Sequence, residues 1–311
     1  MTDRAAPQRP LGGALADALY LRPRLFLALL LAPPLLWLAV VYLGSLIALL
    51  AQSFFSLDDF SGVIVRQPTL ATWAELLVPA NLDVIERSFL MAAAVTLADG
   101  VLAFPIAYFA ARYARGPLKA AFYLLVMTPL WSSYLVKVYA WKLVLAREGV
   151  LTWGLAKIGA GGALDAFLSL PIVGGPSLSA SYTGTFIVFC YIWLPYMILP
   201  AQAALERVPA NLIEASADLG ASPDRTFRHV ILPLAFPGVV AGSIFTFSLT
   251  LGDYIVPQIV GGSQYYLGQA VYAQQGTAGN VPLAAAFSVV PILIMGVYLT
   301  IARRLGAFDA L

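Results

Sequence analysis

The chain has 311 residues, of which 60% are hydrophobic and 11% charged, with a formal net charge of +2 and a mean hydropathy of +0.84. This composition excludes a soluble globular domain and predicts an integral membrane protein. Its Lys and Arg residues lie at the ends of apolar runs, not in one patch, which excludes a nucleic-acid surface; one cysteine, Cys190, and one histidine, His229, exclude an internal disulfide and give no metal-site spacing.

Residues 1–24 are polar, carry Arg4, Arg9, Arg22 and Arg24, and precede an uncharged run over 25–51. At about 1.5 Å per residue that run reaches roughly 40 Å against a hydrocarbon core of about 30 Å, so a tilt or a kink at Pro33 and Pro34 is expected. It is too long for a signal-peptide core, and no cleavage is expected. Five further spans are predicted near 88–111, 120–141, 181–205, 236–258 and 281–302. Six spans put both termini on one side. The segments on that side hold 12 Lys and Arg and the opposite segments five, with Lys137 left inside a span, so the termini and the loop over 206–235 are expected in the cytoplasm. The outer segments 52–87 and 142–180, with Gly, Pro, Trp73 and Trp153, predict short interfacial helices. With no internal repeat, the chain reads as a cytoplasmic segment (1–24), a first span (25–51), a core (85–304) and a cytoplasmic tail (305–311).

Most of the polar information lies in 214–233, EASADLGASPDRTFRHVILP. Asn211 and Glu214 have capping-box spacing, which predicts a short helix from Leu212. Leu212, Ala215, Ser216 and Leu219 then share one face, and Gly220 supplies a left-handed turn and a hinge. Ser222 and Pro223 restart the pattern as cap and first residue of a second short helix, Asp224 is favourable in its first turn, and Pro233 limits its length. Two short helices at an angle are expected.

This segment resembles the EAA loop of permease subunits in binding-protein-dependent ABC importers, whose pattern is E-A-A, three residues, Gly, nine residues, I-x-L-P. Glu214, Ala215, Gly220, Leu232 and Pro233 occupy motif positions at full spacing, while Ser216 stands for the second Ala and Val230 for Ile. The resemblance implies an all-α membrane protein of six transmembrane helices in the type I ABC importer permease fold, with a cytoplasmic coupling helix that docks on an ATPase. Asp218, Leu219, Arg225 and Phe227 join the motif residues as candidates for that contact.

Ionisable residues inside spans are functional candidates, because insertion scales put the cost of a mid-bilayer charge at about 2.5–3.5 kcal/mol. Asp253 lies between Gly252 and Pro257 in the outer third of the fifth span, beside Tyr254. Either the helix opens there and turns carboxylate and backbone carbonyls to a passage that favours a cation, or Asp253 is simply solvated at the surface. Asp99, mid-span beside Gly100 and near Thr96, reads more readily as a packing residue than as a passage residue. Lys137 is expected to snorkel. Trp131, Tyr134, Tyr139, Tyr191, Trp193 and Tyr196 offer faces to ammonium groups or form interfacial belts; Trp193, mid-span near Pro195, is the one retained as a pathway candidate. The stretches 251–262, LGDYIVPQIVGG, and 191–200, YIWLPYMILP, resemble the spermidine/putrescine branch of these permeases; likeness to the general permease core covers 85–304.

The resemblance implies a multi-pass subunit of the bacterial inner membrane with no catalytic, metal or cofactor residues of its own. It would pass a small cationic solute, a polyamine or another amine or organic solute, from an extracytoplasmic binding protein to the cytoplasm by alternating access. No G-x-x-x-x-G-K-[ST] occurs, so ATP and Mg are expected on two separate ATPase subunits, with a second permease, commonly a different chain, completing the pore. Secondary transporters often carry inverted repeats, which are absent here, and HExxH, GxSxG and paired in-membrane acids of membrane enzymes are absent too.

Overall fold

A computed structural model describes residues 20–58, 60–170 and 175–306. The terminal segments before residue 20 and after residue 306, with Arg4 and Arg9, lie outside the described residues. The chain divides into two units, Met1–Gln52 and Ser53–Leu311.

In the first unit, α1 (Pro23–Gln52) is long and apolar enough to cross a membrane. Pro33 and Pro34 lie inside it, and the helix widens into a π turn over Leu38–Leu43 one turn later. Prolines have no amide donor, so the carbonyls of Leu29 and Leu30, one turn before them, lose their α-helical partners.

The second unit opens with a two-residue antiparallel pair, β1 (Ser56–Leu57) and β2 (Ile64–Val65), with Ser56 opposite Val65. The helices follow: α2 (Ala71–Leu76), α3 (Pro79–Arg112), α4 (Pro117–Trp131), α5 (Tyr134–Val144), α6 (Val150–Lys157), α7 (Gly161–Leu168), α8 (Tyr182–Arg207), α9 (Ala210–Asp218), α10 (Pro223–Gly252), α11 (Ile255–Ile259), α12 (Leu267–Gly276) and α13 (Val281–Arg304). The short helices α2, α6 and α7 occupy the two outer segments, as their composition predicts.

Among the described residues five helices are long and apolar enough to span a membrane, and the α4–α5 pair makes a sixth if counted as one span. That pair covers the third span expected near 120–141, but it is broken, and its two axes meet at 96°. Ser132 takes extended backbone and Ser133 a non-helical ψ of 131° at the break, just after Pro129. The expectation for Lys137 is corrected. Its Nζ donates to the Pro129 carbonyl at 2.7 Å, so the ammonium satisfies the freed C-terminal end of α4 instead of snorkelling to headgroups.

The core is built on α8, which packs against α3 and α10. Val188, Phe189, Ile192, Met197, Ala201 and Leu205 of α8 are fully or almost fully buried. Close approach of α10 depends on two glycines four residues apart. A Cβ on Gly238 would lie 2.3 Å from Ala204 Cβ and 2.6 Å from the Pro200 carbonyl oxygen, and one on Gly242 would lie 2.9 Å from Met197 Sδ. This is small-residue packing between membrane helices, where backbones meet because no side chain intervenes. The α8–α10 contact leads directly into the polar segment that follows α8.

Candidate functional site

The 214–233 segment departs from expectation at both its helices. α9 begins at Ala210 behind Pro209, with no side-chain cap, so the Asn211–Glu214 capping box does not form. Pro209 fixes its own φ and needs no amide partner, so the helix starts at Ala210, two residues earlier than the cap residues suggest. The second helix is not short. It passes from Pro223 through a π turn at Phe227–Ile231 and continues beyond Pro233 into the fifth span as α10. Pro233 leaves the His229 carbonyl without its α-helical donor, and the π turn sits where that defect arises.

The turn between the helices follows expectation. Gly220 has φ +76°, and the end of α9 is closed by Ala221 N donating to Ser216 O (3.0 Å) and Gly220 N to Ala217 O (2.8 Å). Those two bonds are the Schellman pattern. The hydroxyls of Ser216 and Thr226 lie 2.9 Å apart and tie α9 to α10, which gives the motif's Ser-for-Ala replacement a physical role.

One side of the segment is anchored. Phe227 meets Phe104 and Tyr108 of α3 edge-on at 5.9 and 5.6 Å between ring centroids, and Ile213 packs into the same cluster as Ile198, Ala201 and Ile231. The other side is open: Leu212, Glu214, Ala215, Asp218 and Arg225 are exposed, and Leu219 is 89% exposed at the tip. Leu232 is half-buried and Pro233 exposed where α10 enters the span.

Sequence reasoning misses the braces at the base of this segment. Arg112, at the end of α3, donates from Nη2 to the Val208 carbonyl at 3.2 Å, immediately before Pro209. Glu206 accepts from Lys119 (2.8 Å), Tyr123 (3.1 Å) and Gln202 (3.1 Å), joining α4 to the end of α8. A cation in the last turn of α3 is a recognisable signal. Its partner 96 residues away is not.

At the other polar locus, α10 ends at Gly252 and Asp253 takes extended backbone with ψ 131°. Asp253 is not simply solvated. Its Oδ1 accepts from Ile255 N (2.7 Å) and Val256 N (3.1 Å), capping α11, and its Oδ2 accepts from the Tyr134 hydroxyl. The helix opens as expected, but the freed carbonyls do not face a passage: a Cβ on Gly268 would lie 2.8 Å from both the Gly252 and Asp253 carbonyl oxygens, so α12 covers them.

Tyr134 also stacks on Trp193 with centroids 5.9 Å apart, and Trp193 meets Tyr196 edge-on at 5.7 Å. Asp253 and Trp193 thus belong to one carboxylate–aromatic array joined by Tyr134, which the sequence presents as one ring among six. Trp193 is buried with its Nε1 unpartnered. Tyr254 points elsewhere and stacks on Tyr272 at 5.1 Å. Asp99 is fully buried in α3, its oxygens have no nitrogen or oxygen donor, and the Cys190 thiol of α8 is the side chain that interacts with it. That burial between α3 and α8 is the setting of a helix-contact carboxyl.

A family model described as "Binding-protein-dependent transport system inner membrane component" matches residues 103–307. The chain is 56% identical over 306 residues to the inner membrane ABC transporter permease protein YdcU of Escherichia coli (strain K12), covering 98% of each. It is 31% identical over 270 residues to the spermidine/putrescine transport system permease protein PotB of the same strain, covering 86% of this chain and 93% of that one. Among solved structures, a bacterial ABC transporter involved in the import of the acidic polysaccharide alginate matches with a TM-score of 0.68 at 15% identity, over 94% of this chain and 99% of that one, which carries the fold alone. The chain therefore belongs to the binding-protein-dependent transport system inner membrane component family, and is a non-catalytic permease subunit of an ABC importer.

Proposed function

We propose that this permease carries a small organic amine, a polyamine such as putrescine or spermidine, from an extracytoplasmic binding protein to the cytoplasm. The observation that carries the substrate class is the array at the opened end of α10, where the Asp253 carboxylate accepts from the hydroxyl of Tyr134, whose ring stacks on Trp193. A carboxylate beside aromatic faces suits an ammonium group, each such face contributing roughly 0.5–2 kcal/mol. Likeness to a permease named for spermidine and putrescine supports the same class.

ATP and Mg act on two separate ATPase subunits, which dock on the exposed side of the 214–233 segment around Leu219. Their closure moves α9, and because α10 is continuous from Pro223 to Gly252, the movement reaches the Asp253 end of the same helix. A second permease, a different chain, completes the passage, and alternating access follows from the two moving together. The Lys and Arg distribution supports a cytoplasmic side for both termini and the coupling segment.

The test is uptake of labelled putrescine and spermidine into vesicles containing the assembled importer and its binding protein, with neutral and anionic competitors. Saturable, ATP-dependent uptake displaced by amines alone is the expected result. Transport of a neutral or anionic solute with no amine uptake would remove the substrate reading and leave the family untouched.

A further inference from the structure

A cavity of about 510 Å³, with charged and apolar side chains in its wall, lies at the end of the bundle opposite the coupling segment, between the first turns of α3 and α8 and the start of α12. Its wall is held in place by bonds between distant parts of the chain. Arg87 donates to the Tyr265 carbonyl at 2.9 Å, and the Ser88 hydroxyl accepts from Leu267 N at 2.8 Å, fastening the 265–267 segment to α3.

The charges do not cancel. Arg87 pairs with Asp83, which leaves Glu86 as the exposed carboxylate of the cavity with no ion pair among the described residues. Tyr266 is only 4% exposed, yet its hydroxyl has no hydrogen-bond partner although the residue lines the cavity. A buried hydroxyl without a partner is a group that a bound donor would satisfy. The remaining wall supplies the rings of Tyr182 and Phe186 and the apolar side chains of Leu90 and Met91. An anion finds only Arg87 here, already engaged by Asp83 and a carbonyl. A bare metal ion has no use for the apolar wall. An alkyl ammonium uses all of it: the N–H groups reach Glu86 and the Tyr266 oxygen, the charge lies against ring faces, and the methylene chain lies along Leu90 and Met91.

We infer that this cavity is an outer subsite for the primary ammonium end of an aliphatic amine, separate from the Asp253 array. The inference rests on the amine-importer reading and deepens it.

The test uses Thr183→Cys, at the cavity wall, in the assembled importer; native Cys190 is buried. Labelling by a thiol reagent is followed with and without spermidine, with 1,4-butanediol as the uncharged control. At about 10 mM, spermidine is expected to slow labelling about tenfold, the protection that mass action gives an occupant with a dissociation constant of about 1 mM, and butanediol to do nothing. Glu86→Gln added to the same chain should abolish the protection, and Tyr266→Phe should weaken it. Glu86 is exposed and Tyr266→Phe keeps the ring, so both variants preserve the fold. If the unsubstituted importer takes up amines but spermidine leaves Thr183→Cys unprotected, or protects it equally with Glu86→Gln present, the subsite is overturned alone. If no amine is taken up, the substrate reading falls, and protection still decides the subsite: present and Glu86-dependent, it stands; absent, it falls.

Discussion

Gly220→Val probes the coupling segment through its backbone alone. Gly220 sits at φ +76°, and a Cβ placed there would meet no atom within 4 Å. Sterics with neighbouring groups therefore contribute nothing, and the cost is that of a left-handed conformation in a non-glycine residue, about 1–2 kcal/mol, with a β-branched side chain at the upper end. That corresponds to a factor of about 5–30 in the population of the native turn. Loss of the turn breaks the bonds from Ala221 N to Ser216 O and from Gly220 N to Ala217 O, and moves Leu219 relative to Phe227, which stays fixed on α3. The assay is amine uptake per ATP hydrolysed in reconstituted vesicles. Uptake should fall several-fold per ATP in Gly220→Val, while Gly220→Asn, which tolerates the left-handed region, should stay near the unsubstituted value. Normal uptake per ATP in the valine variant would refute the assignment of this segment to coupling.

Arg112→Met removes the donor to the Val208 carbonyl and should destabilise the base of α9 by about 1–3 kcal/mol, read as faster proteolysis near Arg207 and lower uptake per ATP. Gly238→Leu places a side chain into the Ala204 and Pro200 contact; overpacking of about 1–3 kcal/mol or more should lower the thermal midpoint in detergent and the yield of assembled complex. At Asp253, asparagine keeps an oxygen to cap Ile255 and Val256 but removes the charge, so Asp253→Asn should weaken amine uptake with assembly intact. Asp253→Ala also loses the cap, worth about 0.5–2 kcal/mol, and should lower thermal stability as well; equal uptake kinetics in Asp253→Asn and the parent would make Asp253 a structural cap only.

Much of the candidate site was legible because it depends on near neighbours in the chain. The motif spacing from Glu214 to Pro233, the left-handed Gly220 and the opening of a helix between Gly252 and Pro257 are consequences of residue types within a few positions of one another. Where local signals competed, the reading went astray. Asn211 and Glu214 advertise a cap, but Pro209 starts the helix first. Pro233 advertises a stop, but the preceding π turn absorbs its missing donor and the helix runs on.

The sequence by itself determined that this chain crosses a membrane, roughly where its spans lie, and that a short helix and a glycine turn stand between two of them. Those features follow from apolar length and from backbone groups that must be satisfied within their own segment in lipid. Tertiary structure decided the rest. The Tyr134 hydroxyl reaches Asp253 across 119 residues and Arg112 reaches Val208 across 96, and the bend between α4 and α5 takes Lys137 inward to Pro129 instead of outward. Each of these partners satisfies a polar group that its own neighbourhood leaves open, and such a partner is chosen by which helices pack together, a property of the folded bundle rather than of any local stretch.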